Sequence, residues 1–475
     1  MLVSLIVSIF CASKAPSLPP HACADLGIER GTLQHLPEVE FGTTDSFMLT
    51  LDGKPRLVRL VPWSLRERGF GVGGDPLGLV DRRERLWRGT VEPGGLRISC
   101  TRLRDGWWGR VVGDNGQSWM LEPWGERTAV YNSSDAFACG GTCGVVDGVF
   151  SDSRGPVVAR AGGPGGGGGL QVCGLAAEAD WAFFQTWGAD ALGRVESVLD
   201  AMNLQYESEV GITHDLSYFL VRTSAADDPY GSITNSSSLL SQFGSWWNSN
   251  QQLIERDVAH LFTGKQLDGS VIGVAYLGVI CTNNAYGLDQ EFGNFNCRTD
   301  LIAHELGHNW SADHCDCGNP EYTMNPSITC ANQFSPTQTV GDISGFRSTR
   351  SCLESAPIRC CLLDGSCQAT FRDACLNLGG FLDSTDASCP PEACTQTWAC
   401  CFPDGACLEG DPASCYAAGA SVGALNSTCA ASTCDPVRAL VNREVFVDLH
   451  PAGGRTEILR TELNQFSNVG KILAV

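Results

Sequence analysis

The fold of this chain is decided by one stretch, His304-Glu305-Leu306-Gly307-His308-Asn309-Trp310-Ser311-Ala312-Asp313-His314. Histidines at positions i and i+4 face the same side of a helix, so His304 and His308 can bind one metal ion. A turn after the helix can bring His314 to the same ion. Three imidazole ligands that leave one tetrahedral position open are typical of catalytic zinc. The stretch therefore predicts one catalytic Zn2+ ion, with Glu305 beside the water molecule that such an ion would activate.

The pattern HExxH also occurs by chance, in core and surface residues that bind no metal. Two further features favour zinc: the third histidine at this spacing, and Met324 in the passage Tyr322-Thr323-Met324-Asn325-Pro326. A methionine at this position is otherwise a filler of the apolar core. Here Met324 can form an apolar floor below the three histidines, the Met-turn.

These residues resemble those of the metzincin zinc peptidases, and among them the adamalysin/reprolysin (ADAM-type) family, whose motif is HELGHNxGxxH. The resemblance implies an α/β (α+β) catalytic domain with a mixed, mostly parallel sheet, long helices, a zinc helix and a Met-turn. One residue departs from the motif, because Ser311 stands where the family has glycine. A left-handed backbone at this turn costs a residue with a Cβ about 1 kcal/mol. Ser311 is therefore the residue that puts activity in question.

The composition limits the classes of function. The chain has 475 residues, 24 cysteines and a formal net charge of −21. Its acidic balance argues against nucleic acid or an anionic membrane as a partner. So many cysteines predict disulfide bonds and an oxidising compartment. Cysteine-rich zinc clusters are the weaker alternative, because few of these cysteines lie in matched CxxC pairs.

Residues 1–15 are predicted to be a signal peptide. The apolar core from Leu2 to Phe10 is too short to span a membrane, and cleavage is expected after Ala12 or Ala15. No other run reaches the length of a membrane span. The sequence therefore predicts a secreted, extracellular protein with no membrane span.

Residues 16–160 alternate short β-type runs with Gly and Pro turns, which predicts an all-β unit. Three of its passages, Trp87–Val91, Trp107–Arg110 and Met120–Pro123, resemble the prodomain of reprolysin-type proteases. The resemblance implies that this part of the chain is an inhibitory prodomain and that the protein is made as a zymogen.

Cys143, followed by Gly144 and Val145, matches the prodomain cysteine of that family. In the family this cysteine binds the zinc as a fourth ligand and blocks the site of the water molecule, so Cys143 is the candidate for a cysteine switch. A thiolate is a good zinc ligand. The alternatives are a short disulfide bond between Cys139 and Cys143, or pairing with another cysteine.

Residues 161–172 begin with Ala-Gly-Gly-Pro and five further glycines, which cannot form a packed element, and we interpret them as a flexible linker. Arg154 and Arg160 lie just before it, which makes this the expected region of activation cleavage.

Residues 173–356 are assigned to the metzincin zinc protease domain. Apolar periodicity predicts a first long helix over 175–202 and a second over 239–253, and a β-type run predicts a strand over 216–223. Thr299 and Asp300 are expected to cap the helix that carries His304 and His308.

Two further strands are expected on either side of Asp268-Gly269, over 258–263 and 271–278. The passage resembles LLTG…DGxxxGLAYxGxxC of ADAM-type domains, where the second strand is the sheet edge above the cleft. An exposed edge can bind an extended peptide through main-chain hydrogen bonds. The resemblance assigns this substrate edge strand to Val274, Ala275, Tyr276, Leu277 and Gly278. Without it, the passage is a buried hairpin.

Six cysteines surround the predicted site, at positions 281, 297, 315, 317, 330 and 352, and they allow fifteen pairings. The resemblance favours Cys281 with Cys352. Cys315 follows His314 directly, so a disulfide there could hold the third ligand. That Cys315 or Cys317 is itself a metal ligand is the weaker alternative. His214, His260 and His450 lack ligand spacing and are expected to be ordinary structural residues.

Two Cys-rich repeats, 357–396 and 397–435, follow with the same cysteine spacing displaced by 40 residues. Each is too small to bury a core without disulfides. They are interpreted as a binding module or a spacer. Residues 436–475 contain no recognised motif.

The sequence thus predicts a secreted zinc-dependent endopeptidase that hydrolyses extracellular proteins or peptides and is held latent by its own prodomain. A calcium ion would be compatible with such a protein, but no sequence feature supports one. The competing hypothesis is an extracellular adhesion or matrix-binding protein with a retained zinc fold and little or no turnover. A non-proteolytic zinc hydrolase is a third, weaker interpretation.

Overall fold

The computed structural model describes residues 15–39, 45–93, 96–113, 116–138, 140–146, 170–315, 317–318, 321–355, 358–361, 366–370, 381–384, 398–401, 407–410, 421–422 and 429. The chain divides into two compact units after Ser355. Residues 1–14 of the predicted signal peptide, residues 161–169 of the linker, Arg154, Arg160 and the tail 436–475 lie outside the described residues.

The helices of the described part are α1 (Pro20–Leu26), α2 (Trp181–Trp187), α3 (Ala191–Val210), α4 (Ser236–Asn250), α5 (Phe295–Asn309) and α6 (Thr339–Arg347). Asn and Asp residues begin three of them, because their side chains accept hydrogen bonds from free backbone N–H groups of the first turn. Asp180 caps α2, Asn235 caps α4 and Asn294 caps α5. No helix in the part of the chain that the structure describes is long and apolar enough to cross a membrane.

The first sheet is antiparallel throughout and comes entirely from the amino-terminal region. Its strands are β1 (Thr32–Gln34), β2 (Asp45–Leu51), β3 (Lys54–Trp63), β5 (Leu86–Glu92), β6 (Leu96–Leu103), β7 (Gly106–Val112), β8 (Ser118–Trp124) and β9 (Arg127–Asn132), in the order β1-β9-β8-β7-β6-β5-β3-β2. Side chains alternate between its two faces. One face buries a core that includes Leu49, Trp87, Ile98 and Trp107. The other face carries Arg88, Trp108 and Arg110, which are also buried.

The second sheet is mixed and mostly parallel. Its strands are β4 (Arg66–Gly73), β10 (Thr142–Val146), β11 (Gln171–Ala179), β12 (Ile212–Val221), β13 (Val258–Thr263), β14 (Val271–Tyr276) and β15 (Tyr286–Gln290), in the order β10-β14-β15-β13-β11-β12-β4, and β16 (Glu354–Ser355) pairs with β11. The central strands are almost fully buried, as expected for parallel strands covered on both faces. The outer strands β4 and β10 lie within residues 16–160, so this sheet contains strands from both predicted domains.

One predicted helix boundary and one alternative interpretation of a strand pair are wrong in this sheet. The predicted helix 175–202 begins too early, because residues 171–179 form β11 and helix starts only after Asp180. The run Leu175-Ala176-Ala177-Glu178-Ala179 is compatible with either state, and its position at the centre of the sheet decides for strand. The two strands expected on either side of Asp268-Gly269 are present as β13 and β14, but the alternative of a simple buried hairpin is wrong, because β15 lies between them.

The second unit contains two small antiparallel sheets with the same strand order. One consists of β17 (Ile358–Cys361), β18 (Cys367–Thr370) and β19 (Phe381–Ser384), and the other of β20 (Trp398–Cys401), β21 (Cys407–Gly410) and β22 (Ser421–Val422). Cys361 lies opposite Cys367 in the first, as Cys401 lies opposite Cys407 in the second. A disulfide bond joins Cys407 to Cys429.

Candidate active site

Helix α5 presents the first two histidines of the motif from a fully buried position. It begins at Asn294, whose side chain accepts a hydrogen bond from Cys297 N at 3.0 Å, so the expected cap at Thr299 and Asp300 is wrong. Asp300 instead accepts hydrogen bonds from Thr323 Oγ1 and Asn332 N, at 2.7 and 2.8 Å. This buried carboxyl therefore ties the helix to the segment that carries Met324.

The helix ends in a turn at Ser311, the residue that stands where the family motif has glycine. Ser311 has φ +71°, in the left-handed region, and its N–H donates to His308 O at 2.8 Å. Ala312 N donates to Gly307 O at 2.9 Å. Such paired bonds across a left-handed residue end a helix and reverse the chain. Ser311 thus adopts the conformation that glycine would adopt, and the chain turns back toward α5 with His314.

The three histidines converge through their Nε2 atoms. His304 Nε2 lies 3.0 Å from His308 Nε2 and 3.3 Å from His314 Nε2. His304 Nδ1 lies 2.6 Å from Thr323 O, and His308 Nδ1 lies 2.7 Å from Ala312 O. A carbonyl oxygen only accepts, so each of these Nδ1 atoms carries the proton and each Nε2 presents a lone pair.

Electrostatics keep these rings neutral. Burial lowers the pKa of His304 well below its usual value and lowers the pKa of His308 to about 4. Burial also lowers the pKa of His314. The converging Nε2 lone pairs therefore repel one another unless a cation lies between them. Ligand nitrogens about 2.0–2.1 Å from a tetrahedral zinc ion lie about 3.3 Å apart, and the observed spacing fits that ion.

Met324 is fully buried and packs against the helix that carries His304 and His308. A Cβ at Gly307 would lie 2.5 Å from its sulfur, so α5 and Met324 are in direct contact at the turn between the first two histidines. Cys315 N donates to Met324 O at 2.8 Å, and Cys315 is joined to Cys317 by a disulfide bond. The residue that follows His314 is therefore fixed to the methionine segment, and neither cysteine is available as a metal ligand.

Glu305 is buried next to the histidines. Its Oε1 has no hydrogen-bond partner among the described residues, and its Oε2 lies 3.4 Å from Cys143 Sγ. Burial raises the pKa of Glu305 well above its usual value. A Cβ at Gly273 on β14 would lie 2.3 Å from Oε1, so only glycine leaves room for this carboxyl.

Cys143 reaches the same centre from β10. One donor atom from each of Cys143, His304, His308 and His314 lies within 4.8 Å of all the others. Strand β10 runs parallel to β14, with Cys143 opposite Gly273. On its other side Ile328 N donates to Gly141 O at 2.9 Å, and Thr142 bridges to Ser327. Residues 141–143 are thus held between β14 and residues 326–328.

The predicted substrate strand differs from expectation in two respects. Strand β14 ends at Tyr276, so Leu277 and Gly278 belong to the connection that follows it. Val274, Ala275 and Tyr276 lie on the strand, but β10 covers the edge that they would offer to a peptide. Cys281 is bonded to Cys352, the pairing that the resemblance favours, and Cys297 to Cys330.

The comparisons with known proteins agree with this geometry. A reprolysin family model, described as metallo-peptidase family M12, matches residues 169–341. Residues 169–341 are a reprolysin-type metallopeptidase domain. The chain is 37% identical over 91 residues to zinc metalloproteinase recombinant fibrinogenase II of Deinagkistrodon acutus, which is 18% of this chain and 39% of that protein. It is 34% identical over 103 residues to the zinc metalloproteinase-disintegrin-like brevilysins H2a and H2b of Gloydius brevicauda, 19% of this chain and 23% of each of theirs. The chain thus spans less than half the length of these relatives.

Asn309 shapes the cleft of the reprolysin-type domain, a role that the sequence analysis did not predict. The Asn309 side chain donates to Tyr276 O at 2.8 Å and to Tyr286 O at 3.0 Å, which fixes the end of β14 and the start of β15 to α5. Gly278 N also donates to His308 O at 2.8 Å. The only indication in the sequence is that Asn309 directly follows His308. Its partners are backbone carbonyls, which no sequence motif identifies.

His214 and His260, two histidines outside the motif, have partners elsewhere in this reprolysin-type domain. His214 Nε2 accepts from Trp310 Nε1 at 3.0 Å, and burial lowers the pKa of His214 to about 3. His260 Nε2 lies 2.8 Å from Asp289 Oδ1. His450 lies outside the described residues.

Proposed function

We propose that this protein is a secreted zinc endopeptidase, made as a latent zymogen, that hydrolyses peptide bonds of extracellular proteins. The observation that carries the proposal is the convergence of three neutral Nε2 atoms beside the buried carboxyl of Glu305. His304, His308 and His314 would hold one zinc ion above Met324. Bound there, zinc would supply a Lewis acid for the substrate carbonyl and for water.

Glu305 is the general base and then the general acid. Its Oε1 is free to accept a proton from the attacking water, because no other described group bonds to it. The same carboxyl then passes this proton to the leaving amine.

The substrate would bind as an extended strand. The edge of β14 offers main-chain groups at Val274, Ala275 and Tyr276, and residues 326–328 form the facing wall. In the uncut chain, residues 141–143 make main-chain contacts with both β14 and residues 326–328. A peptide bound between the same walls would gain main-chain hydrogen bonds on both sides, which requires little side-chain specificity.

Latency would come from β10 and its cysteine. Cys143 Sγ lies near all three ligand nitrogens, where a thiolate can take the fourth position of the zinc ion and exclude water. Glu305 is also engaged, through the contact between its Oε2 and Cys143 Sγ.

The test is a measurement of zinc content together with cleavage of casein or a quenched peptide. It compares the full chain with a chain cut at an engineered protease site in residues 161–169, each with Cys143 intact or replaced by alanine. We expect zinc in all four forms, no cleavage by the full chain, and the highest activity in the cut chain with Cys143→Ala.

Zinc without cleavage in any form would contradict the endopeptidase proposal and favour the adhesion or matrix-binding alternative. Two features motivate that alternative, the strained Ser311 turn and the repeated Cys-rich sheets of the second unit. Absence of zinc from the full chain would contradict the metal assignment itself.

A further inference from the structure

Helix α3 lies between the two sheets, and its acidic residues bond to arginines of the amino-terminal region. Arg88 on β5 bonds to Asp200 at 2.9 Å and to Glu207 at 2.8 Å. Arg66 on β4 bonds to Glu196 at 2.6 Å. The Glu196 and Asp200 side chains are 1% and 0% exposed, respectively, so separation of the helix from β4 and β5 would leave these carboxylates without their guanidinium partners.

The centre of this contact is aromatic. Trp108 on β7 packs edge-on against Trp187 and Phe295, with ring centroids 5.8 and 5.3 Å apart. The Arg194 guanidinium lies 4.2 Å from the centre of the Trp108 ring. Buried aromatic and arginine anchors surrounded by paired charges are the features that dominate the affinity of stable protein interfaces.

The contact between α3 and the amino-terminal region is also closely packed, and it includes hydrogen bonds to backbone carbonyls. A Cβ at Gly193 would lie 2.6 Å from Leu103 Cδ2, which places α3 directly on β6. Arg110 donates to Ala201 O at 3.2 Å and to Asn332 O at 3.0 Å. Strand β4 pairs with β12, so the first region extends the second sheet.

We propose that residues 17–136 remain bound to α3 as a permanent noncovalent subunit after the chain is cut in the linker. Their sheet has its own apolar core, so the cut fragment keeps the surface that α3 binds. Among the described residues before the linker, those that pair with the cleft edge of β14 are residues 142–146, so β10 is the element that must leave for a substrate to enter. The inference rests on the proposed function only for the position of the cut.

The experiment uses the full chain with an engineered protease site in residues 161–169, cut and then analysed by gel filtration and native mass spectrometry at micromolar concentration. We expect one species that contains both fragments and separates only in denaturant. Two separate species in native buffer would overturn the proposal. The measurement does not depend on peptidase activity, so it remains decisive if the endopeptidase proposal fails.

Two tryptophan variants identify the anchor. Trp108→Ala is expected to raise the dissociation constant of the cut complex by about 30-fold or more, as loss of an anchor residue does. Trp124→Ala is the matched control, because Trp124 lies on the neighbouring strand β8 and packs against His21. An equal loss of affinity in both variants would contradict the assignment of Trp108.

A charge exchange covers the case in which Trp108→Ala does not fold. Arg66→Glu alone is expected to weaken the cut complex, because two carboxylates then face each other at the site of the 2.6 Å ion pair. Adding Glu196→Arg is expected to restore binding. Failure of the single variant to weaken the complex would count against this interface.

Discussion

At the scale of single residues, Ser311 bears a conformation that suits glycine. Its φ of +71° places its Cβ against the following backbone, at a cost of about 1 kcal/mol or more. Ser311→Gly is therefore expected to raise the free energy of unfolding by about 1 kcal/mol and to leave zinc content unchanged. Urea unfolding followed by tryptophan fluorescence measures the change.

The control for this variant is Ser348→Gly, at a residue with φ −61°. There glycine relieves no strain, removes the hydrogen bond that Ser348 Oγ donates to Gly345 O at 2.7 Å, and adds freedom to the unfolded chain, so it is expected to lower stability. Equal effects of the two substitutions would show that Ser311 is not strained in the folded protein.

Glu305 is the residue on which the proposed chemistry depends. Glu305→Gln keeps the size of the side chain and removes its ability to take up a proton. In the cut chain, kcat/KM is expected to fall by about 10²- to 10⁴-fold, the usual range for a general base, while zinc content stays the same. Glu321→Gln changes an exposed carboxyl of the same region and is expected to have no effect. Full activity of Glu305→Gln would refute the assignment.

At the scale of elements, β10 occupies its position because Gly141 has no side chain. A Cβ there would lie 2.2 Å from Ile272 Cδ1 and 2.6 Å from Cγ1. Gly141→Ala is therefore expected to displace β10 from β14 in the uncut chain. Reaction of the Cys143 thiol with a maleimide, followed by peptide mapping, is expected to accelerate by about tenfold or more, which corresponds to roughly 1.4 kcal/mol.

The same strand supplies the control. A Cβ at Gly144 would make only ordinary contacts with Val271 and Val274, at 3.5 and 3.6 Å. Gly144→Ala is expected to leave the reaction rate of Cys143 unchanged. The measurement is made with Cys23 replaced by serine, because Cys23 is a half-buried thiol elsewhere in the first unit. An unchanged rate in Gly141→Ala would show that packing at this glycine does not hold β10.

At the scale of the whole molecule, Glu122 joins the first sheet to the beginning of α5. It accepts hydrogen bonds from Tyr131 OH at 2.9 Å and from Phe295 N at 3.2 Å. Burial raises the pKa of Glu122 to about 7. Between its ordinary pKa and about 7 the folded state binds more protons than the unfolded state, so stability falls as pH rises through this window.

The prediction is a decrease in the urea midpoint from pH 5 to pH 8 that becomes smaller in Glu122→Gln. The amide has the shape of the neutral carboxyl and does not ionise, so the variant is expected to be more stable than the parent at pH 8. Glu126→Gln changes an exposed carboxyl in the turn between β8 and β9, and it is expected to leave the pH dependence unaltered. A parallel pH dependence in Glu122→Gln and the parent would exclude Glu122 as its source.

The linear pattern of residues predicts the chemistry proposed for the centre and much of its surroundings. The spacing of His304, His308 and His314 is local, and a helix followed by a turn brings them together wherever they lie in the fold. The pairing of Cys281 with Cys352 followed from the family resemblance. The mostly parallel sheet followed from it as well. Residues 175–179 of β11 were predicted as helix, because the alternation of apolar and polar residues is lost where both faces of a strand are buried.

Two features could be found only in the folded structure: the pairing of β10 with the edge of β14, and the contacts of α3. Strand β10 lies next to β14, and the sequence gives no register between segments more than a hundred residues apart. Asn309 bonds to backbone carbonyls. Arg88, Trp108 and Arg110 contact α3 from one face of the first sheet, and they share that face only because of the order and register of its strands. Such contacts depend on how surfaces fit together, and a linear pattern of residues does not encode that fit.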